Sequence, residues 1–326
     1  MKILLLGGTA MLGRAIATSA VERGHTVTCL ARGSSPAPPG AVLISSDRDD
    51  DDGLKSVTSH IWDAVIDVSR QPGQVRRAVS ELDTAHWVFI SSGNVYADFS
   101  SIEQDESAAI RSAVIADVME DMSTYGEAKV ACEEAVRGSG KSSTIIRSGL
   151  IGGPGDWSGR SGYWPWRFAH PTGDDVIVPD DPDFPCALID VRDLASWVIN
   201  ATEQRLDGTF NATGPTTPLH NVISTAKEVA NSDATPLPVA AATLAELAIG
   251  SWMGPASLPL WIDDPAWRGF ATMKTDRARA AGLSTRPLRD TFRDALAYEN
   301  QRTQPRQAGL TDDDERRVRA SLSGDI

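Results

Sequence analysis

The chain opens with Lys2-Ile-Leu-Leu-Leu-Gly-Gly-Thr-Ala-Met-Leu-Gly13, and this stretch decides the fold. Its apolar run is typical of a strand buried on both faces, and the residues from 12 to 23 have helical periodicity. Glycines between a strand and a helix permit a tight turn, allow close approach of a pyrophosphate, and leave the helix amides facing that anion. The pattern predicts a dinucleotide-binding turn made of Gly7, Gly8, Thr9, Ala10, Met11, Leu12 and Gly13.

Strand and helix patterns alternate from this turn to about residue 150, which predicts a parallel sheet with right-handed crossovers. Beyond residue 150 glycine, proline and aromatic residues become frequent, and a strand–helix pair follows at 187–202. We therefore predict an α/β fold, a Rossmann-type doubly wound parallel sheet with a smaller, mostly C-terminal substrate lobe. Residues 1–150 are expected to bind the nucleotide and 151–326 the substrate, with 186–211 returning to the sheet. The strands expected in the first half are 2–6, 25–30, 41–46, 62–68, 86–91 and 143–147.

Composition narrows the class of protein. The formal net charge of −13 opposes binding to nucleic-acid phosphates. The three cysteines form no Cys-x-x-Cys pair, so we predict neither a disulfide framework nor a metal site. No segment reaches the length of about 18 apolar residues that a membrane span needs. We expect a cytoplasmic protein that acts on a small molecule, and a charged tail at 311–326 that is an exposed helix or a frayed end.

The end of the second strand selects the nucleotide. A site that prefers NAD usually places an acid there for the ribose 2′-hydroxyl, whereas an arginine suits a 2′-phosphate. This chain has Arg32 and no acid between residues 29 and 33. We therefore expect NADP(H) in preference to NAD(H), with a solvated loop residue as the alternative for Arg32. Asp47 and Arg48 end the third strand, where the adenine edge would lie.

Four further residues suggest chemistry. Ser91-Ser92 ends a strand, and Tyr125 and Lys129 are four residues apart, on one face of a predicted helix. A nearby cation favours the phenolate form of a tyrosine, which lets such a side chain exchange a proton with an alcohol or carbonyl oxygen. An isolated Tyr-x-x-x-Lys is common by chance. A doubly wound sheet, however, gathers this pair, the serines and the glycine turn at its carboxyl edge.

The chain resembles the extended short-chain dehydrogenases/reductases of the NAD-dependent epimerase/dehydratase type over roughly its first 200 residues. The resemblance is carried by residues 7–13, 91–96, 125–129, 146–156 and 188–195. It implies NAD(P) chemistry with Tyr125 as acid/base, Lys129 as its helper and Ser92 as the hydroxyl that orients a carbonyl. Ser92 is preferred to Ser91 because the family's active hydroxyl lies four residues before the tyrosine that matches Tyr96.

Two positions depart from the family pattern. Ala10 replaces the middle glycine of the turn, which could narrow the approach to the pyrophosphate. The loop Ser148-Gly149-Leu150 lacks the asparagine typical of sugar-nucleotide epimerases. This second departure weakens an epimerase assignment without excluding it.

The substrate is expected to contact the aromatic stretch after residue 152. Aromatic walls suit a hydrophobic or ring-bearing substrate, and an arginine there can bind a carboxylate or phosphate. The alternative is that these aromatics pack the second lobe onto the sheet. The candidates are Trp157, Arg160, Tyr163 and Trp164.

Three functions stay open at this stage. The first is an NADP(H)-dependent oxidoreductase that reduces a carbonyl of a small, aromatic or hydrophobic substrate. The second is a nucleotide-sugar epimerase or dehydratase with tightly bound NAD, and the third is a non-catalytic cofactor-sensing or RNA-binding protein on the same fold. Many relatives pair two helices from each subunit, so a homodimer through the helix at 125–136 is also open.

Overall fold

A seven-stranded parallel sheet forms the centre of the computed structural model, which describes residues 1–323. The strands of four or more residues are β1 (Lys2–Leu6), β2 (Thr26–Ala31), β3 (Val42–Ser45), β4 (Ala64–Asp67), β5 (Trp87–Ser92), β6 (Ser143–Ser148), β7 (Asp175–Pro179), β8 (Gly208–Ala212) and β9 (Thr235–Val239). The sheet has the order β8-β6-β5-β4-β1-β2-β3, and all its neighbouring pairs are parallel. The predicted Rossmann-type α/β sheet is confirmed.

Ten α-helices accompany these strands in the described residues. They are α1 (Met11–Glu22), α2 (Pro72–Glu81), α3 (Tyr125–Gly138), α4 (Tyr163–Ala169), α5 (Val191–Gln204), α6 (Leu219–Ala230), α7 (Ala241–Glu246), α8 (Asp276–Ala280), α9 (Leu288–Glu299) and α10 (Asp312–Ser323). Shorter 3-10 turns occupy Gly93–Val95, Met122–Thr124 and Pro265–Trp267. Two-residue strand pairs join Ile61–Trp62 with Asp83–Thr84, Ile151–Gly152 with Ile189–Asp190, Pro185–Cys186 with Thr217–Pro218, Gly250–Ser251 with Ser257–Leu258, and Gly254–Pro255 with Ala308–Gly309.

The sheet is buried on both faces, which explains why its central strands are nearly continuous apolar runs. Helices α1 and α5 cover one face around Ile16 and Leu194, and α2 and α3 cover the other around Val75 and Cys132. Asp190 caps α5 by accepting a hydrogen bond from the amide of Arg192, as a strand-to-helix junction favours. Strand β8 lies at the edge of the sheet beside β6, although the predicted division of the chain at residue 150 stays a prediction.

A second core belongs to the later part of the chain. It gathers apolar side chains of α4, α6 and α9 with those of β7 and β9. Helix α10 packs Val318 into this core and buries Glu315, so the charged tail is a helix with one buried face rather than a freely exposed one. The last part of the predicted tail, 324–326, lies outside the described residues.

Strands β7 and β9 form a separate two-stranded parallel sheet. The amide of Thr235 donates to the carbonyl of Asp174 at 3.0 Å, and Val239 accepts from the amide of Asp180 at 3.0 Å. Because successive residues of a strand point their peptide groups to opposite sides, the intervening Pro236 and Pro238 have their nitrogens on the outer edge.

Membrane spans and metal sites bear on the predicted class of protein. Within residues 1–323, no helix combines the length and apolarity needed to cross a membrane. In the same range no group of His, Cys, Asp and Glu side chains has an arrangement suited to a metal ion. The cytoplasmic location and the homodimer stay predictions.

Candidate active site

The glycine turn between β1 and α1 needs all three of its glycines. Gly7 has a φ of 109°, a conformation that a side chain disfavours. A Cβ on Gly13 would clash with the carbonyl oxygen of Gly7, and one on Gly8 would clash with the thiol of Cys29. Burial raises the pKa of that thiol to about 11, so Cys29 packs as a neutral, unreactive side chain. These glycines let α1 approach the sheet closely.

Ala10 occupies a less demanding position in the same turn. It is exposed, precedes the first residue of α1, and has φ −89° and ψ 174°, which is extended backbone that any residue adopts. The alanine therefore causes no backbone strain where the family pattern has glycine.

A cleft of about 640 Å³ opens in front of the turn at the carboxyl edge of the sheet. It unites most of the predicted cofactor-binding residues with the Tyr–Lys pair, although Gly8 is packed beneath the turn and Ser92 lies just outside the lining. The predicted residues that line it are Gly7, Thr9, Ala10, Met11, Leu12, Gly13, Arg32, Asp47, Arg48, Tyr125, Lys129 and Trp157.

Arg48 lies on the inner wall of this cleft and is committed to a partner within the protein. It donates to both carboxylate oxygens of Asp67, at 2.9 and 2.8 Å, and to the carbonyl of Gln74 at 2.7 Å. Both partners of the ion pair are buried. Its guanidinium thus ties the end of β3 to the end of β4, a role that the sequence did not reveal.

Arg32 lies at the rim of the cleft, directly after β2. Its side chain is exposed and forms no ion pair or hydrogen bond with another described residue. Its planar group of N–H donors is therefore available to an anion in the cleft.

Ser92 is the last residue of β5, and its hydroxyl contacts Asn94 in the following 3-10 turn. It donates to Asn94 Oδ1 at 3.0 Å and accepts from the Asn94 amide at 3.3 Å. Gly126, in the first turn of α3, packs so tightly against the Asn94 carbonyl that a Cβ would clash there. This contact holds Tyr125 close to the end of β5.

Ser91, one residue earlier, is committed to a buried network. Its hydroxyl donates to Glu133 at 2.6 Å, and the same carboxylate accepts two hydrogen bonds from Arg147 at 3.0 and 2.9 Å. Burial raises the pKa of Glu133, but the hydrogen bonds and charge of Arg147 outweigh it, so the pKa lies below its ordinary value. The hydroxyl of Ser91 thus donates to a buried carboxylate. Ser91 lines the cleft and Ser92 does not, so the preference for Ser92 stays a prediction.

Lys129 is fixed between two strand ends. Its Nζ donates to the carbonyls of Ser69 and Ile90, both at 2.7 Å, and lies 5.9 Å from the centre of the Tyr125 ring. An ammonium has three protons to donate, so one remains for another acceptor in the cleft. No described residue bonds to the Tyr125 hydroxyl, although the half-buried ring lines the cleft.

The predicted substrate residues separate into three groups. Tyr163 and Trp164 are fully buried in the second core, where Trp164 donates to the carbonyl of Pro259 at 2.9 Å, so their prediction as substrate contacts is wrong. Trp157 is 58% exposed and lines the cleft. Arg160 lies outside the cleft lining, three residues further along the same loop.

One residue near the site was missed. Met273 lies beside the ends of β5 and β6, because a Cβ on Gly93 would be 3.1 Å from its sulfur and one on Gly149 would be 3.4 Å from its Cε. Its side chain is buried. No sequence motif predicts this position, because Met273 comes close to the site only when the later part of the chain has folded.

The fold and this cleft are typical of nucleotide-binding proteins of the Rossmann type. Residues 3–86 match the model of the NAD dependent epimerase/dehydratase family. This match and the fold of the solved neighbours confirm the predicted likeness to extended short-chain dehydrogenases/reductases of the epimerase/dehydratase type.

Two curated relatives match parts of the chain. The chloroplast stem-loop binding protein of 41 kDa b from Arabidopsis thaliana is 26% identical over 233 residues, which cover 65% of this chain and 58% of that protein. The photosystem II assembly factor Ycf39 from Synechocystis sp. is 38% identical over 73 residues, or 21% of this chain and 22% of that protein. The matched regions therefore span less than two thirds of either relative.

Solved structures extend the likeness over nearly the whole chain. The UDP-N-acetylglucosamine 4-epimerase from Bacillus cereus superposes with a TM-score of 0.65 at 18% identity, covering 95% of this chain and 100% of that one. The UDP-glucuronic acid 4-epimerase from Bacillus cereus, in complex with NAD, gives 0.66 at 15% identity, covering 92% and 99%. At these identities the likeness concerns the fold.

Proposed function

We propose that this protein is an NADP(H)-dependent oxidoreductase that reduces a carbonyl group of a small, aromatic or hydrophobic substrate. The observation that carries the proposal is that Tyr125 and Lys129 line the same cleft as the glycine turn. A dinucleotide bound at the turn would extend along the cleft toward this pair. When bound, it supplies the hydride that reaches the carbonyl carbon.

The side chains of the chain would control the carbonyl oxygen. Tyr125 donates the proton that the oxygen gains as the alcohol forms. Lys129 keeps a positive charge near the phenol, and its free proton is available to a ribose hydroxyl. Ser92 orients the oxygen by turning its hydroxyl from Asn94 toward the substrate.

The preference for NADP(H) rests on the rim of the cleft. Arg32 follows β2 where an acid would select NAD, and no described carboxylate neutralises it. A 2′-phosphate at this position would receive charge-assisted hydrogen bonds from its guanidinium.

The proposal is tested by following NADPH absorbance with a panel of aromatic and aliphatic aldehydes and ketones. Tyr125→Phe should lower kcat by about a hundredfold to ten-thousandfold, because it removes the general acid, and should leave the Kd for NADPH unchanged. Tyr298→Phe, on α9, is the matched control and should retain full turnover. Wild-type turnover that survives in Tyr125→Phe would contradict the assigned chemistry.

The second candidate is a nucleotide-sugar epimerase or dehydratase, which the named functions of the solved neighbours favour over a reductase. Such an enzyme oxidises and re-reduces its substrate within one cycle, so it would show no net change in NADPH absorbance. NAD that copurifies and does not dissociate on dialysis would support this candidate, whereas freely exchanging NADP(H) supports the reductase.

A non-catalytic role is the third candidate, and the name of the stem-loop binding relative bears on it. The net charge of −13 argues against a phosphate backbone as ligand. NADPH binding without turnover of any carbonyl or nucleotide sugar would favour this role.

A further inference from the structure

Several buried or half-buried arginines in this chain face a carboxylate. This pairing is expected, because a guanidinium removed from water without a partner is costly. Besides Arg48 with Asp67, the pairs are Arg147 with Glu133, Arg167 with Asp312 and Glu315, and Arg302 and Arg306 with Glu299.

Arg160 is half-buried and differs from these arginines. It forms no ion pair with a described residue, and its Nε donates only to the hydroxyl of Ser158, at 3.2 Å. Its guanidinium lies over the indole of Trp252, with Cζ 5.2 Å from the ring. Burial lowers the pKa of Arg160, although the charge of Asp156 acts in the opposite direction. The terminal nitrogens therefore have donor capacity that the described residues leave unused.

The loop that carries Arg160 is held firmly beside the cofactor cleft. The buried carboxylate of Asp156 accepts hydrogen bonds from the amides and hydroxyls of Ser158 and Ser161, at 2.5 to 3.0 Å. Earlier in the loop, a Cβ on Gly155 would be 3.4 Å from the side chain of Met11 in the glycine turn. Arg160 is thus positioned by a loop that borders the glycine turn.

An aromatic wall connects Arg160 with the end of β5. Trp252 contacts Phe270 edge-on, with ring centres 5.2 Å apart, and Phe270 contacts Phe99 in the same manner at 5.0 Å. Met273, three residues after Phe270, lies against Gly93, the residue that follows Ser92. A cation therefore lies at one end of an apolar wall whose other end adjoins the proposed catalytic hydroxyl.

We propose that Arg160 binds an oxyanion, a carboxylate or a phosphate, that the substrate of this oxidoreductase carries. The apolar body of the substrate lies along Trp252 and Phe270, and its carbonyl lies toward Ser92 and Tyr125. The planar fork of the guanidinium matches two oxygens of such a group, which would take the place of the carboxylate that the paired arginines have. The inference rests on the proposed function for the identity of the reacting group, but its anion-binding part can be measured without turnover.

The binding experiment uses calorimetry on the full chain saturated with NADP⁺. Benzoate and phenyl phosphate are the anionic probes, and benzamide is the neutral one. Arg160→Gln should raise the Kd of the preferred anion roughly tenfold to a hundredfold, the range for hydrogen bonds to a charged group, with benzamide unaffected. The Kd of Arg160→Lys for this anion should lie between the values of the wild type and of Arg160→Gln, because lysine keeps the charge and lacks the planar fork. Arg289→Gln, an exposed arginine on α9, is the matched control for net charge. A preference for benzoate or for phenyl phosphate identifies the oxyanion.

Turnover separates this inference from the proposed function. With 4-carboxybenzaldehyde and its methyl ester as substrates, Arg160→Gln should raise KM for the acid alone and leave kcat for the ester unchanged. Anion binding that depends on Arg160, without reduction of any aldehyde, would retain the inference and reject the proposed function. Reduction of both aldehydes with KM values insensitive to Arg160→Gln would support the proposed function and reject the inference. Failure of the wild type to bind either anion overturns the inference, provided that NADP⁺ binding and the thermal midpoint confirm a folded protein.

Discussion

Two of the arginines that line the cleft differ in their surroundings. Arg48, on the inner wall, is buried and donates both ends of its guanidinium to Asp67. Arg32, on the rim, is exposed and has no described partner. The difference teaches that a neighbouring carboxylate distinguishes an arginine whose donors are committed to the fold from one whose donors stay available. Residue type and position in the motif do not distinguish them, since both follow a strand of the same sheet.

The largest effect is expected on stability, at the buried ion pair of Arg48 and Asp67 on the inner wall of the cleft. Asp67→Asn leaves the buried Arg48 guanidinium without its counter-charge and should lower the free energy of unfolding by about 3–5 kcal/mol. Chemical denaturation followed by tryptophan fluorescence measures it. Asp49→Asn, an exposed carboxylate near the same strand end, is the matched control and should change stability by less than about 0.5 kcal/mol. Equal effects of the two variants would contradict the structural role of Arg48.

Substitution of Arg32, at the rim of the cleft, is expected to change the affinity for NADPH rather than the stability of the protein. Arg32→Ser should raise the Kd for NADPH roughly tenfold to a hundredfold and should leave the Kd for NADH within about twofold, because only NADPH carries the 2′-phosphate. Fluorescence titration of both nucleotides checks it. Loss of affinity for both nucleotides to the same extent would show that Arg32 does not read the 2′-phosphate.

The smallest effect is expected inside the glycine turn. Ala10→Gly should change NADPH affinity by less than about twofold and stability by a few tenths of a kcal/mol, because Ala10 is exposed and extended. Gly13→Ala is its counterpart and should weaken cofactor binding strongly, since its Cβ would clash with the carbonyl of Gly7. If Ala10→Gly increased NADPH affinity more than about tenfold, the alanine would be restricting the pyrophosphate after all.

The sequence predicted the first half of the fold well because its signals are local. One short stretch of chain contains the apolar run from Lys2, the glycines and the helix after them. Each of these elements is therefore encoded by neighbouring residues. The spacing of Tyr125 and Lys129 also predicts their relative placement, since both residues lie on one helix. These features could be read without knowing what packs against them.

The remaining parts of the site depend on contacts between distant segments. The sequence placed Arg48 at the adenine edge, and nothing in it shows that the carboxylate of Asp67, at the end of β4, lies beside the Arg48 guanidinium. It offered Tyr163 and Trp164 as substrate contacts, since an aromatic side chain suits a core and a pocket equally well. No sequence pattern predicted that Met273 lies near the site.

The outer edge of β9 has a consequence for behaviour at high concentration. An exposed strand normally offers N–H donors to any extended chain that arrives, including another molecule of the same protein. At Pro236 and Pro238 the outward nitrogens carry no hydrogen, so an incoming strand would find acceptors without the donors that a ladder needs. The imino acids thus give this small sheet a natural resistance to growing into an aggregate.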